Sequence, residues 1–125
     1  MLDKILSQNQ DKLRIVQELV PGKQITLLHI IANPDDILYQ KLGLDTSDNY
    51  NYGAIGIMTI SPSETVIIAA DIAIKASGAE IGFVDRFSGT LIITGTVSAV
   101  QAAFDSISEY IKNTLGYTVC QITKT

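Results

Sequence analysis

Between Ala54 and Ala103 the chain carries only six charged side chains: Glu64, Asp71, Lys75, Glu80, Asp85 and Arg86. Charged residues make up 18% of the whole sequence, against roughly 25% in an average soluble domain. At 125 residues the chain is the size of one compact domain, and a domain that small must leave much of its surface outside the core. Surface is depleted of charge mainly where it meets another protein. The first expectation is therefore a homo-oligomer.

The same stretch shows how the apolar excess is distributed. Ser61-Pro62-Ser63-Glu64 reads as a capping box with proline at the first helical position, opening a helix that Gly78 stops. Glu64, Asp71 and Lys75 fall on one narrow stripe of that helix, because 64 to 71 is nearly two turns and 71 to 75 is one. The rest of its circumference is Val66, Ile67, Ile68, Ala69, Ala70, Ile72, Ala73, Ile74 and Ala76. A helix apolar over most of its circumference must be covered on more than one side. Its own sheet covers one side, and a neighbouring helix or subunit must cover the rest.

The remaining elements follow from periodicity and punctuation. Gln24–Ala32 reads as a buried strand. Asn33-Pro34-Asp35-Asp36 starts a helix of about three turns, ended by Gly43. Ala54–Ile60, Glu80–Arg86 and Thr90–Thr96 read as strands, the last two joined by a turn holding Ser88-Gly89. Ser98 with Gln101 starts a second long helix, with Val100, Ala103, Phe104, Ile107, Ile111 and Leu115 as its core stripe. Gly116 closes it, and Tyr117–Thr123 alternates as a final strand. The order from 54 to 123 is β-α-β-β-α-β, which predicts an α+β domain with an antiparallel sheet and two helices on one face. Before these elements, Leu2, Ile5, Leu6, Leu13 and Val16 hint at a short helix, and Arg14–Val20 reads as extended up to a turn at Pro21-Gly22. The stretch 45–53 is a polar loop.

Few residues invite chemistry. The net charge of −4 argues against a nucleic-acid partner, and no stretch is apolar enough to predict a membrane span. The single cysteine excludes an intramolecular disulfide or a zinc site within one chain. The start of the sequence lacks the apolar core of a signal peptide, so the expected location is a reducing compartment, the cytoplasm. His29, the only histidine, sits among Leu27, Leu28, Ile30 and Ile31 and reads as a packed or interface residue, not a catalytic base. Cys120 has no basic neighbour to activate it. Asp35-Asp36 is explained by helix capping before metal binding. Tyr50 and Tyr52 lack the neighbouring cation expected of a base-stacking site. No cofactor and no enzymatic activity are expected. Asp85-Arg86-Phe87-Ser88-Gly89 resists a bland reading, because it places a charge pair and an aromatic on a turn between apolar strands. In a ring, that turn repeated about one axis would line the central opening.

Several of these runs carry a resemblance. Ala69-Ala70-Asp71-Ile72-Ala73-Ile74-Lys75-Ala76 resembles the Ala-Ala-Asp-x-Ala-x-Lys-Ala helix of bacterial microcompartment shell proteins. Gly95-Thr96-Val97-Ser98-Ala99-Val100 resembles that family's start of the second helix, with Thr96 in place of the usual acid. Glu18–Gln24, Ala54–Thr59 and Gly82–Gly89 resemble one subgroup, the circularly permuted shell proteins of ethanolamine, propanediol and choline utilisation compartments. The similarity runs from about Arg14 to Thr125; residues 1–13 stand outside it as an extension, and the loop of residues 45–52 is longer than usual.

The resemblance implies a single ferredoxin-like, circularly permuted BMC domain over residues 14–125, forming homohexamers that tile with other shell proteins into a polyhedral shell. In the permutation, Gln24–Ala32 and Asn33–Gly43 move to the front of the domain. Lys75 would make contacts at the hexamer edge, with Asp71 one turn before it. Asp85, Arg86, Phe87, Ser88 and Gly89 would line the axial pocket. Arg14, Ile15, Val16, Gln17, Glu18, Leu19 and Val20 from six subunits would form a small parallel β-barrel capping the axis, on which another protein or an encapsulated enzyme could dock. Six arginines near one axis would favour anions unless Asp85 neutralises them. The shell would confine enzymes that produce a reactive aldehyde. The alternative from the fold class alone is a small-molecule-binding regulatory domain.

Overall fold

The computed structural model describes residues 22–44 and 53–125. Strand β1 spans Gln24–Ile31 and is followed by helix α1, Asp36–Leu42. Strand β2 (Ala54–Ser61) leads through one 3₁₀ turn, Ser63–Thr65, into α2 (Val66–Ala76). Then come β3 (Glu80–Asp85), β4 (Thr90–Gly95), α3 (Val97–Asn113) and two short strands, β5 (Thr118–Val119) and β6 (Thr123–Lys124). The sheet order is β3-β4-β2-β1-β5, with β6 also on β1. The proposed barrel strand 14–20, the extension 1–13 and the loop tyrosines 50 and 52 lie outside the described residues.

The core forms where α2 and α3 lie across one face of the sheet. Ile25, Leu28, Ile30, Met58, Leu91 and Ile93 point from the strands toward Val66, Ala69 and Ala73 of α2 and Val100, Phe104 and Ile107 of α3. The expected α3 stripe is buried from Val100 to Ile111, while Leu115 lies past the helix end and is only partly buried. Small residues let the layers approach closely. A Cβ on Gly56 would stand 2.7 Å from Val100 Cγ1 and 2.8 Å from Phe104 Cζ.

The expectation of an antiparallel sheet with helices on one face needs two corrections. First, the sheet is mixed: β1 and β2 pair antiparallel, but β5 and β6 both run parallel to β1. The alternation of residues 117–123 reports which side chains share a face, not the direction of the strand beside them. Second, α1 lies on the opposite face. Ile55 and Ile57, which alternate with the core residues of β2, gather with Tyr39, Leu38, Leu44, Ile31 and Ile92 into a second cluster. Tyr39 is buried there, and its hydroxyl donates to the Ala54 carbonyl at 3.4 Å.

Helix boundaries also differ in mechanism. α1 has seven residues, capped by Asp35, whose side chain accepts from the Ile37 N–H, and ended by Gly43 at φ 69°. It is shorter than three turns because Pro34 precedes the cap and does not open the helix. Ser61 makes no capping box, since it is the last residue of β2; the 3₁₀ turn leads into α2 with no side-chain cap. Ser77, not Gly78, ends α2, accepting the Ala79 N–H at 3.1 Å. Thr96, not Ser98, caps α3, accepting the Ala99 N–H at 3.0 Å. After α3, Gly116 at φ 77° turns the chain, and the Tyr117 N–H reaches back to the Ile111 carbonyl at 3.1 Å.

Phe104→Ala empties the centre of this core and is expected to cost about 3–5 kcal/mol, read as a lowered urea midpoint with far-UV circular dichroism retained before the transition.

Candidate functional site

Two features stand at opposite ends of α2. At one end is the turn between β3 and β4. The Asp85 carboxylate folds back on it, with Oδ1 accepting the Phe87 N–H at 2.9 Å and Oδ2 accepting the Ser88 hydroxyl at 2.9 Å. Thr90 Oγ1 lies 2.9 Å from the same Ser88 oxygen. Those contacts, the Phe87 N–H foremost, hold the Asp85 carboxyl below its ordinary value. The Gly89 N–H closes the turn on the Asp85 carbonyl at 2.8 Å, and the Gly89 carbonyl accepts from Ile60 N–H at 2.9 Å. Gly89 adopts φ 77°, and a Cβ there would stand 2.2 Å from the Ile60 carbonyl oxygen. No other residue fits that position.

Asp85 is thus committed to the backbone of its own turn, and among the described residues it forms no ion pair with Arg86. The Arg86 guanidinium instead lies over the Phe87 ring, 4.9 Å from its centroid. Phe87 is 79% exposed. An open depression of about 380 Å³ sits beside it, lined by Ile67, Val84, Asp85, Arg86 and Phe87.

At the other end of the helix, Lys75 Nζ lies 2.9 Å from Asp71 Oδ2, an i, i+4 ion pair with both side chains exposed. Ile67 lines the depression at the turn, and Lys75 stands eight residues further on, about 12 Å along the helix axis. On its outer side α2 carries uncovered isoleucines that flank the Asp71–Lys75 stripe. Val66, Ala69, Ala70 and Ala73 are buried, whereas Ile67, Ile68 and Ile74 are 53%, 42% and 57% exposed. α3 covers one flank, as the sequence required, and no part of the described chain covers the other.

The structure thus brings the turn residues 85–89 into one constellation and sets Asp71 and Lys75 apart from it as a second. Sequence reading had not named Ile67 and Val84 as pocket walls, or Thr90 as part of the turn. The register Asp85↔Thr90 is the signal that would have found the threonine. His29 is half-buried with both ring nitrogens occupied: Nδ1 lies 2.6 Å from Thr123 Oγ1 and Nε2 2.9 Å from Thr125 Oγ1. Cys120 is half-buried, and burial pushes its thiol up, away from the reactive thiolate. No group of three or more metal-ligating side chains occurs among the described residues, and no described helix is long and apolar enough to cross a membrane.

A family model described as the BMC domain matches residues 54–123. The chain belongs to this family. It is 50% identical over 114 residues to the bacterial microcompartment shell protein EutS of Escherichia coli, across 91% of this chain and 98% of that one. It is likewise 50% identical over 112 residues to the microcompartment shell protein PduU of Salmonella typhimurium, across 90% of this chain and 93% of that one. Among solved structures, the CutR flat hexamer superposes with a TM-score of 0.76 at 44% identity, covering 86% of this chain and 95% of that one. A CutR screw of 41.9 Å pitch gives 0.75 at 46% identity, covering 84% and 100%. These BMC-domain relatives are structural shell proteins and not enzymes.

The Asp85 turn has a pH signature. A carboxyl held low in the folded state contributes stability that is whole above its unfolded value of about 3.8 and fades as pH falls through the lower folded value. Thermal melts from neutral pH down to about pH 2 should show the parent melting above D85N at neutral pH, with the gap closing below about pH 4.

Proposed function

We propose that this chain is a microcompartment shell subunit that assembles as a homohexamer and tiles with other shell proteins, in the bacterial cytoplasm, around enzymes that generate a reactive aldehyde. The observation that carries the reading is the uncovered isoleucines of α2, which flank the exposed Lys75–Asp71 stripe and reach the exposed turn at Ile67. A heterologous contact through them, repeated head to tail, gives a ring when the rotation closes. The turn then faces the axis, and Lys75 and Asp71 face the rim, where contacts between hexamers form. The relatives support the hexameric shell reading, being shell proteins and, for CutR, a flat hexamer.

Two finer features fit the same frame. The Thr118 N–H bonds the Lys23 carbonyl at 3.1 Å, so the end of α3 is adjacent to the start of β1. A domain in which α3 led directly into β1 would have the same sheet, which supports reading this chain as circularly permuted. Gln24 pairs with Ser61, beside the Ile60 N–H that holds Gly89. The described chain therefore enters β1 at the turn end of the sheet, which supports the reading of 14–20 as one strand of an axial β-barrel. A closed barrel leaves no strand edge unpaired, and it would make the axis a blind pocket on which a further protein can dock. The alternative, a ligand-binding regulatory domain, has no observation favouring it.

Electron microscopy of the purified protein with its mass by light scattering tests the reading; rings of six that pack into sheets are expected, and a stable monomer at high concentration would overturn it. Lys75→Ala is expected to abolish or weaken sheet formation while leaving rings and thermal stability nearly intact, the Asp71 pair itself contributing only about 0.3–0.5 kcal/mol. Deleting residues 1–20 is expected to open the axis with rings preserved, and release of monomers would instead assign the principal contact to the barrel.

A further inference from the structure

The outer edge of β1 is thinly closed. This strand has eight residues, and among the described residues that edge is covered only by β5 and β6, two residues each and both parallel to it. Two residues supply too few ladder bonds to hold a strand in place by themselves. An open β1 edge would be a row of unpaired N–H and C=O groups, ready to pair with a strand of another chain. What fastens β6 is a side chain. His29 stands opposite Thr123 in the parallel register, on the sheet face away from the buried Leu28 and Ile30. Its Nδ1 lies 2.6 Å from Thr123 Oγ1 and its Nε2 2.9 Å from Thr125 Oγ1. Residues two apart on an extended chain share a face, so one planar ring meets both hydroxyls. The backbone beside it closes with Thr125 N–H on the Ile30 carbonyl at 2.9 Å and Ala32 N–H on the Thr125 carbonyl at 2.8 Å.

We propose that His29 is a clasp that holds β6 along β1 and so closes this edge of the sheet against a strand from a second copy of the chain. The direction of each bond follows from the donors. The Thr123 hydroxyl donates to the Leu28 carbonyl at 3.3 Å, so its oxygen accepts from the ring and Nδ1 carries the proton. Nε2 is then the acceptor, and the Thr125 hydroxyl donates to it. The ring therefore works as one donor and one acceptor, each matched to one threonine, in a single tautomer. His29 is a positioning residue: it touches no ligand and acts through the strand it fastens. The clasp lies within one chain, so its failure and the failure of the ring reading are separate results.

Three measurements on the full chain test this: ¹⁵N NMR of histidine-labelled protein, in which the sole histidine gives one pair of ring nitrogens; hydrogen–deuterium exchange; and particle mass by light scattering over time. The parent is expected to show a protonated Nδ1 and a bare Nε2. In H29A, exchange at Thr123–Thr125 is expected to be at least about tenfold faster, with the β2–β4 ladder unchanged, and the mass is expected to grow beyond that of the parent particle. H29Q, which offers one donor and one acceptor, is expected to restore most of the protection. The double variant T123V/T125V, which keeps the ring and removes both hydroxyls, is expected to behave as H29A and serves if H29A does not fold. A ring protonated on Nε2 alone, unchanged exchange at Thr123–Thr125, exchange raised equally across the whole sheet, or a mass that stays at the parent value would each overturn the clasp.

Discussion

Burial of the α2 helix is the constraint on which the rest of this molecule depends. Eleven residues from Val66 to Ala76 hold only two charged side chains, and those two lie one turn apart and bind each other. The sheet and α3 take up the alanine side of the helix, where small side chains allow close approach. The isoleucine side is left to water unless another copy covers it. Fully burying an isoleucine is worth about 1.5–3 kcal/mol relative to full exposure; Ile67, Ile68 and Ile74 are each about half exposed, so covering all three gains roughly half of that apiece, which repeated around a ring is still a substantial driving force. Subunit shape and assembly thus arise from one helix with too much apolar surface for one domain.

The second organising fact is polarity along that helix. Its first turn stands beside the β3–β4 turn and its last beside the opposite end of the sheet, where β3 begins. One end of the subunit is a tight, internally hydrogen-bonded loop with an exposed aromatic tip; the other is an exposed ion pair. The turn is rigid because Asp85, Ser88, Thr90 and Gly89 bond among themselves and to Ile60, so its Arg86–Phe87 tip is presented by a fixed base. Asp71 and Lys75, by contrast, are held only by their own i, i+4 pairing, so that end of the subunit is free to adjust.

Much of this was legible from residue order. The 3.6-residue stripe of Val100, Ala103, Phe104, Ile107 and Ile111 located the core side of α3, because burial is a direct consequence of that spacing. The charge-poor segment signalled uncovered surface before any fold was known. What spacing does not encode is strand direction, and so the parallel placement of β5 and β6 beside β1 was missed. Nor does it encode which face of a sheet a short helix chooses; α1 crosses to the far side because Tyr39 packs on Ile55, a residue whose alternation within a continuous apolar run is invisible in sequence. The Ser61-to-Glu64 pattern matched a capping box, yet Ser61 was already used by the β2 ladder. The ion pair of Asp71 with Lys75 followed from spacing alone, whereas the inward commitment of Asp85 needed the geometry of the turn.

The core has a consequence for any wall built from this unit. Ile93 of the sheet and Val100, Phe104 and Ile107 of α3 show no solvent exposure, and the glycine at 56 is there because even a methyl group would collide with its neighbours. Interiors packed to that density conduct nothing. In such a wall, diffusion of metabolites is decided at the seams between particles and at the axis. Leakiness of such a wall can then change through residues at its seams while the body of the brick stays the same.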